Sequence, residues 1–173
     1  MTEELAEYLI GLEKHILEDN QLLDKYNLKI DYPMDIRLTL STKDDLDQIL
    51  LINIKESEKK TLKISMHHQD HNTQKALLRI DYNGRHLNPV EITPTLPKIF
   101  RPFAGKWLDD YPSHIHYVVN GYKPLAWAIP LEYDEFPIQD IKSREEYSQA
   151  LSAFFKKINL QTNITYTHQL RII

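Results

Sequence analysis

Four short apolar runs between residues 36 and 82 constrain the fold of this chain more than any other feature. The first and third runs alternate apolar and polar residues, as half-buried strands do, and the second is more continuously apolar. Polar turn-forming pairs separate the runs, and Asn83-Gly84 follows the last one. The predicted strands cover residues 36–40, 48–54, 62–66 and 76–82. Their close succession predicts an antiparallel meander.

Helical periodicity marks both ends of the chain. Residues 2–26 place apolar side chains three and four apart, which predicts an amphipathic helix in an N-terminal segment that covers residues 1–30. Asp19-Asn20 could break this helix into two pieces. Ser143 and Glu146 have the spacing of a capping box, and the residues after them predict a second helix with one apolar face. A last alternating strand is predicted at 164–170.

The middle of the chain combines a hairpin signal with a long irregular segment. Residues 85–112 show no period and include prolines at 89, 94, 97 and 102, which predicts a loop of a length that is usually functional or mobile. Residues 115–119 and 125–129 flank Asn120-Gly121, and this pattern predicts a hairpin.

Together, these elements predict an α+β fold, with a mainly antiparallel sheet of about seven strands and an N-terminal and a C-terminal helix. No repeat or linker interrupts the 173 residues, so we expect a single domain. Its parts are the N-terminal segment, a sheet region at 34–131 and a helix-plus-strand region at 142–173.

The absence of cysteine excludes disulfides, thiolate zinc sites and a cysteine nucleophile. The N-terminus is acidic, unlike a signal peptide, and no apolar run approaches the roughly 18 residues of a membrane span. We therefore expect a cytoplasmic protein with no membrane contact. The sequence does not predict its oligomeric state.

Charge is unevenly distributed along the chain. The net charge is −4, yet residues 60–123 contain nine Lys and Arg against five Asp and Glu, together with six of the eight histidines. A local positive field in an acidic chain favours a confined anionic ligand over indiscriminate DNA binding. Chance segregation of charge is the alternative.

Two predicted strands carry side chains that are capable of chemistry. His114 and His116 are two apart, so both imidazoles project from the same face of a strand, as do Arg79 and Asp81 on another strand. Two exposed histidines and a plain ion pair within the sheet are the alternative interpretations. Arg85 and His86 follow the Asn83-Gly84 turn, where a strand end presents side chains to a cleft.

Histidines next to arginines can cleave RNA without a metal or another cofactor. One neutral imidazole accepts the 2′-hydroxyl proton, an imidazolium protonates the leaving oxygen, and a cation stabilises the phosphorane. Exposed aromatics such as Trp107, Tyr111 and Tyr122 can stack on bases, whereas Trp127 is expected in the core. The predicted catalytic residues are His86, His114 and His116, and the predicted phosphate- or RNA-binding residues are Arg79, Arg85, Lys106 and Tyr122.

A metal site is the weaker interpretation of the histidines. His67 and His71 could chelate a metal together with Asp70, although a plain polar turn explains them as well. Carboxylates are sparse near the histidines, which disfavours a two-metal nuclease. A His/carboxylate metal enzyme stays open as an alternative. So does a non-enzymatic inhibitor that binds a nuclease complex through acidic helix faces, which would include Glu18 and Asp19.

The combined motifs resemble a family of small proteins of unknown function from Gram-positive bacteria and their mobile elements. The resemblance rests on Arg79-x-Asp81, His86-x-Asn88-Pro89 and His114-x-His116, runs from about residue 36 to 169, and departs from the family in an insertion at 91–112. It brings no catalytic residues with it. Size and layout also resemble, more loosely, anti-CRISPR proteins that shorten the guide RNA of Cas9. That likeness implies a Cas9–guide RNA complex as a partner, and a toxin acting on cellular RNA fits equally well.

Overall fold

The dominant element is an eight-stranded sheet in which every neighbouring pair is antiparallel. The computed structural model describes residues 1–109 and 113–169. In spatial order, the strands are β2 (Gln21–Leu23), β1 (His15–Glu18), β4 (Asp35–Ser41), β5 (Leu50–Glu56), β6 (Leu62–Asp70), β7 (Thr73–Tyr82), β8 (His114–Tyr117) and β9 (Trp127–Pro130). The predicted α+β class with a mainly antiparallel sheet is confirmed. The four predicted strands between residues 36 and 82 correspond to β4–β7 of the meander.

A second, small sheet joins the two ends of the chain. It pairs β3 (Lys25–Ile30) with β10 (Asn163–His168) in parallel. The predicted final strand therefore exists, but it lies outside the large sheet, and position 170 lies outside the described residues.

Two helices accompany the sheets: α1 (Glu3–Gly11) and α2 (Arg144–Lys157). The predicted capping box is confirmed, because the Ser143 side chain accepts from the Glu146 N–H while the Glu146 carboxylate accepts from the Ser143 N–H. Neither helix in the described part of the chain is long and apolar enough to span a bilayer.

The prediction of one helix over residues 2–26 is wrong beyond Gly11. Asp19 and Asn20 adopt positive φ angles of 50° and 60° and form a two-residue turn between β1 and β2. Such a turn matches the twist of a hairpin, and it outweighs a periodicity that continues into the strand only by coincidence. Ile16 is buried on β1, and Glu18 lies on a strand rather than on a helix face.

The two faces of the sheet differ in chemistry, because successive residues of a strand point to opposite faces. On the core side, one row of residues that are paired across the strands packs into the buried core. This isoleucine row consists of Ile36, Ile54, Ile64, Ile80, Ile115 and Ile129. One residue further along, side chains point to the opposite face. This polar row consists of Arg37, Asn53, Ser65, Arg79, His116 and Ala128.

The predicted hairpin of β8 and β9 exists, but Asn120-Gly121 does not form a tight turn between the strands. The strands pair from Tyr117 opposite Trp127, so nine residues connect them. The Asn120 amide oxygen instead accepts from the N–H of Glu3 at the start of α1, at 2.8 Å. This asparagine therefore attaches the start of the first helix to the β8–β9 connection.

The predicted loop after β7 lacks long strands but is held in place. The Leu108 N–H donates to the His86 carbonyl at 2.8 Å, and the Asn88 N–H donates to the Lys106 carbonyl at 3.1 Å. Between these contacts, Arg101–Phe103 forms a 3-10 helix. Residues 110–112 lie outside the described residues.

Candidate active site

Register places the charged pair of β7 directly against the histidines of β8. Arg79 lies opposite His116, and Asp81 lies opposite His114. The side chains of both histidines are 0% exposed, and that of Asp81 is 2% exposed. The interpretation of the histidines as exposed is therefore wrong, because the chain that follows β7 covers them.

Asp81 is the centre of the cluster. One carboxylate oxygen, Oδ1, lies 2.8 Å from Arg79 Nε. The other, Oδ2, lies 3.5 Å from His116 Nε2 and 3.7 Å from His114 Nε2. Burial alone would raise the pKa of Asp81, but the adjacent imidazole of His116 and the guanidinium of Arg79 lower it to about 2. The expected ion pair of Arg79 and Asp81 is thus present as one part of a larger group.

Hydrogen bonds define the tautomer of His116. Its Nδ1 lies 3.0 Å from the Leu125 carbonyl, which can only accept, so Nδ1 carries a proton. Its Nε2 lies 2.9 Å from Arg79 Nη2, which can only donate, so Nε2 accepts. With Nε2 as the acceptor, this imidazole holds the guanidinium beside Asp81.

His86 reaches the same cluster from a different segment. Its ring centroid lies 4.5 Å from that of His116 and 5.8 Å from that of His114. Its Nε2 donates to the Ala126 carbonyl at 2.9 Å, so Nδ1 is the unprotonated nitrogen. Burial lowers the pKa of His86, which favours the neutral base. His86 is only half-buried, so it is the most accessible of the three imidazoles.

His114 differs from its neighbours in having no hydrogen-bond partner on either ring nitrogen. Burial lowers the pKa of His114 to about 3, so it is neutral at physiological pH. Buried polar atoms in folded proteins are nearly always satisfied, and an exception calls for an explanation such as catalysis or a bound ligand.

Two residues that were not assigned to the site hold the chain over it. A Cβ on Gly84 would lie 3.1 Å from Asp81 Cβ and 3.6 Å from His114 Cε1, so glycine permits the close crossing. The buried Asn88 donates to the Ala128 carbonyl at 2.9 Å and accepts from the Ala128 N–H at 2.9 Å. The Asn88-Pro89 motif is a sequence signal that fits this anchoring role.

Arg85 and Lys106, both predicted to bind phosphate, lie away from the buried cluster. Arg85 forms a two-pronged pair with Asp109, with Nε to Oδ1 at 3.0 Å and Nη2 to Oδ2 at 2.8 Å. Its guanidinium also lies 5.1 Å from the Trp107 ring centroid. Lys106 is exposed on the loop, and its carbonyl binds Asn88.

The aromatic residues that were predicted to stack on bases differ in exposure and in hydrogen bonding. The Tyr122 hydroxyl donates to the Glu91 carbonyl at 2.8 Å and accepts from the Thr93 N–H at 2.9 Å, so this side chain clamps the loop. Trp107 is 54% exposed and stays available for stacking, whereas Trp127 is fully buried as expected. Tyr111 lies outside the described residues.

The chelate suggested for the β6–β7 turn is not formed. The Asp70 carboxylate binds Lys75 at 2.8 Å, and His67 Nε2 lies 3.0 Å from the Ser65 hydroxyl on the strand. His71 is 97% exposed in the turn. These residues form a polar turn, which was the alternative interpretation.

Within the described residues, one group has the composition and spacing of a metal site. The donor atoms of Asp81, His114 and His116 all lie within 4.8 Å of one another. Two histidines and a carboxylate are a known ligand set for transition metals. Arg79, however, already contacts both Asp81 and His116, so a guanidinium supplies positive charge to the same group.

Residues 1–160 match a family of unknown function, DUF6978. The expected likeness to a family of unknown function is thereby confirmed, and the match begins at residue 1 rather than near residue 36, where the motifs place its start. No curated protein and no solved structure matches the chain.

Proposed function

The chain belongs to the DUF6978 family of unknown function, and we propose that it is a small metal-independent endoribonuclease. One observation carries the proposal. The ring of His86, from the segment that follows β7, lies against the buried rings of His114 and His116, and His116 holds Arg79, although the histidines are far apart in the sequence. A neutral, half-buried imidazole next to an accessible guanidinium is the minimum needed for transesterification of RNA.

His86 is the proposed general base. Its Nδ1 removes the proton of a ribose 2′-hydroxyl, and the 2′-oxygen attacks the adjacent phosphorus. The bond from phosphorus to the 5′-oxygen breaks, and the imidazolium formed on His86 returns the proton to that oxygen. The products are a 2′,3′-cyclic phosphate and a 5′-hydroxyl.

Arg79 is the proposed phosphate ligand. Its side chain is 29% exposed, so it reaches solvent while Asp81 fixes its Nε. Since His114 and His116 are fully buried, we assign them as positioning residues that hold Arg79 and support the ring of His86. Arginine is suited to this role because its planar fork matches the oxygens of a phosphate.

The first experiment is a denaturing gel of labelled single-stranded RNA incubated with purified protein in EDTA. We expect discrete products with cyclic phosphate ends. The His86→Ala and Arg79→Ala variants should be at least about 10²-fold slower, since one acid–base group contributes about 10²–10⁴-fold. His71→Ala is the matched control, because His71 is exposed in a distant turn. Intact RNA with the wild type, or full activity of His86→Ala, would refute the proposal.

The RNA target follows from the same gel. If guide RNA is shortened only in the presence of a Cas9 complex, the protein is an anti-CRISPR nuclease. If free cellular RNA is cut, a toxin-like role is favoured. If all RNA stays intact while Cas9 is still inhibited, the non-enzymatic inhibitor is the correct alternative.

A metal-dependent enzyme is the second candidate, and the unpartnered nitrogens of His114 favour it. Asp81 and His116 would provide the remaining donors. This candidate requires a stoichiometric metal ion in the purified protein, measured by elemental analysis, and its loss in His114→Ala. Activity that persists in EDTA in protein free of metal would exclude it.

A further inference from the structure

The outer face of β4–β6 carries three cations that have no carboxylate partner among the described residues. They are Arg37, Lys55 and Lys63, one on each strand, and all three are exposed. We call these three residues the cationic strip. Arg79 on β7 continues the strip into the candidate active site. The chain as a whole has a net charge of −4, so this face runs against the overall balance.

Strand register concentrates these charges. Lys55 lies directly opposite Lys63, an arrangement of like charges that destabilises a sheet. Arg37 and Arg79 belong to the polar row and are three strand spacings apart, about 14 Å. Between them lie Asn53, whose side-chain amide can donate hydrogen bonds, and the buried Ser65, whose hydroxyl donates to the Asn53 carbonyl at 3.5 Å.

The carboxylates opposite the two lysines, Asp35 and Asp81, offset only part of the positive charge of the strip and Arg79. Asp35 lies opposite Lys55 at the end of the row but forms no ion pair with it among the described residues. Asp81 lies opposite Lys63, but its carboxylate contacts Arg79. After burial, the charges of Arg37 and Arg79 lower the pKa of His67, which shows that both guanidinium groups act on the same part of the face.

We propose that the cationic strip binds the phosphates of single-stranded RNA beside the bond that is cut. The three cations of the strip lie on neighbouring strands, and the next strand carries Arg79, the proposed phosphate ligand. His86 lies in the segment that follows β7 and is itself half-buried, so a ribose must leave any duplex to reach it. The assignment of the strand as a substrate rests on the proposed function, whereas the binding surface does not.

The binding experiment uses fluorescence anisotropy of a labelled 12-nucleotide 2′-O-methyl oligouridine. This probe lacks the 2′-hydroxyl and is not cut. Relative to the wild type, Lys55→Glu/Lys63→Glu should raise Kd at least 10-fold. Lys25→Glu/Lys29→Glu, on the exposed face of the small sheet, should change it less than 2-fold. With four cations in contact, the slope of log K against log salt should be about −2.8, and removal of two lysines should reduce it to about −1.4.

A second readout separates the strip from the chemistry. Cleavage of a uridine dinucleotide should be unchanged in Lys55→Glu/Lys63→Glu, while KM for a 12-nucleotide RNA rises about 10-fold. Lys55→Gln/Lys63→Gln, which adds no negative charge, should give a smaller rise of the same kind. Equal Kd values for the double variant and the control, with normal cleavage, would overturn the strip and leave the proposed function standing.

The reverse outcome is equally clear. If the wild type binds the oligonucleotide through the strip but cuts no RNA, the proposed function fails and the binding surface is supported. If polyglutamate binds as tightly as RNA with the same salt slope, the strip is a surface for acidic proteins, and the RNA assignment is overturned.

Discussion

Lys14 and His114 are both completely buried polar side chains, yet their hydrogen bonds are opposites. The Lys14 ammonium donates to three backbone carbonyls, those of Ile10 at 2.7 Å, Leu12 at 2.5 Å and Ile158 at 2.6 Å. An ammonium has three protons, so every donor is used. His114 has two ring nitrogens and a hydrogen bond to neither.

We expect the difference to separate a buried polar group that stabilises the fold from one that serves the proposed activity. Lys14 satisfies carbonyls at the ends of α1 and α2, and so connects the two helices. A fully satisfied buried group is what a stable core requires. His114 lies in the least satisfied buried group of the described chain, and that group is the one next to the accessible Arg79 and His86. Stability and activity should therefore depend on different buried residues.

The largest expected effect is on Lys14. Lys14→Met removes all three donors and leaves buried helix-end carbonyls unpaired, which should lower the free energy of unfolding by about 3 kcal/mol. Urea unfolding at pH 7 measures this change. RNA cleavage per folded molecule should stay within 2-fold of the wild type. A loss of cleavage beyond the loss of folded protein would contradict a purely structural role for Lys14.

His114→Phe should give the complementary result. The apolar ring fills the same space and removes two unsatisfied nitrogens, so the free energy of unfolding should change by less than about 1 kcal/mol. Cleavage should fall about 10²-fold, because Phe removes the ring nitrogen that lies 3.7 Å from the Asp81 carboxylate, and a displacement of about 1 Å in a catalytic group can cost that much. The two variants are compared by urea unfolding and by initial rates. A large loss of stability in His114→Phe would show that His114, like Lys14, mainly stabilises the fold.

Acid should act through the His114 cluster. The folded-state pKa of His114 is about 3 against an ordinary 6.5, so between these values the unfolded chain binds more protons. Stability should therefore decrease as the pH falls from 6.5 to 3, by up to about 1.4 kcal/mol per pH unit. Asp81, with its pKa lowered to about 2, adds a loss in the same direction below pH 3.8.

Urea unfolding between pH 3 and pH 8 tests this dependence. Lys14→Met should keep the acid slope, and His114→Phe should reduce it. An unchanged slope in His114→Phe would show that another group takes up the protons.

The smallest effect is expected for Arg85. Its pair with Asp109 is exposed, and pairs of this kind contribute about 0–1 kcal/mol. Arg85→Ala should therefore leave both the free energy of unfolding and RNA cleavage nearly unchanged, whereas Arg79→Ala should abolish cleavage. Equal losses of cleavage in the two variants would give Arg85 the phosphate-binding role that its position in the sequence suggested.

The sequence predicts the meander because strand alternation is a local property. It misplaces the N-terminal helix because Leu5, Leu9 and Leu12 continue at helical spacing into Ile16, while the turn at Asp19-Asn20 decides the structure. The residues of the candidate site could be named from the sequence, because Arg79 and Asp81 share one face of a strand and His114 and His116 share a face of another. Their contact could not be predicted, because the register between β7 and β8 is set across the long loop. Lys14 gave no signal, since its partners are backbone carbonyls.

The isoleucine row and the polar row are neighbours along every strand from β4 to β9, offset by a single residue. Deleting one residue from β8 would turn Ile115 toward the outer face and bring a histidine into the core. A shift of the site by one residue along the sheet would therefore exchange the buried and the outer side chains of the shifted strand. We expect insertions and deletions to be tolerated in the connections rather than in the strands, and the family's variation in length should concentrate there.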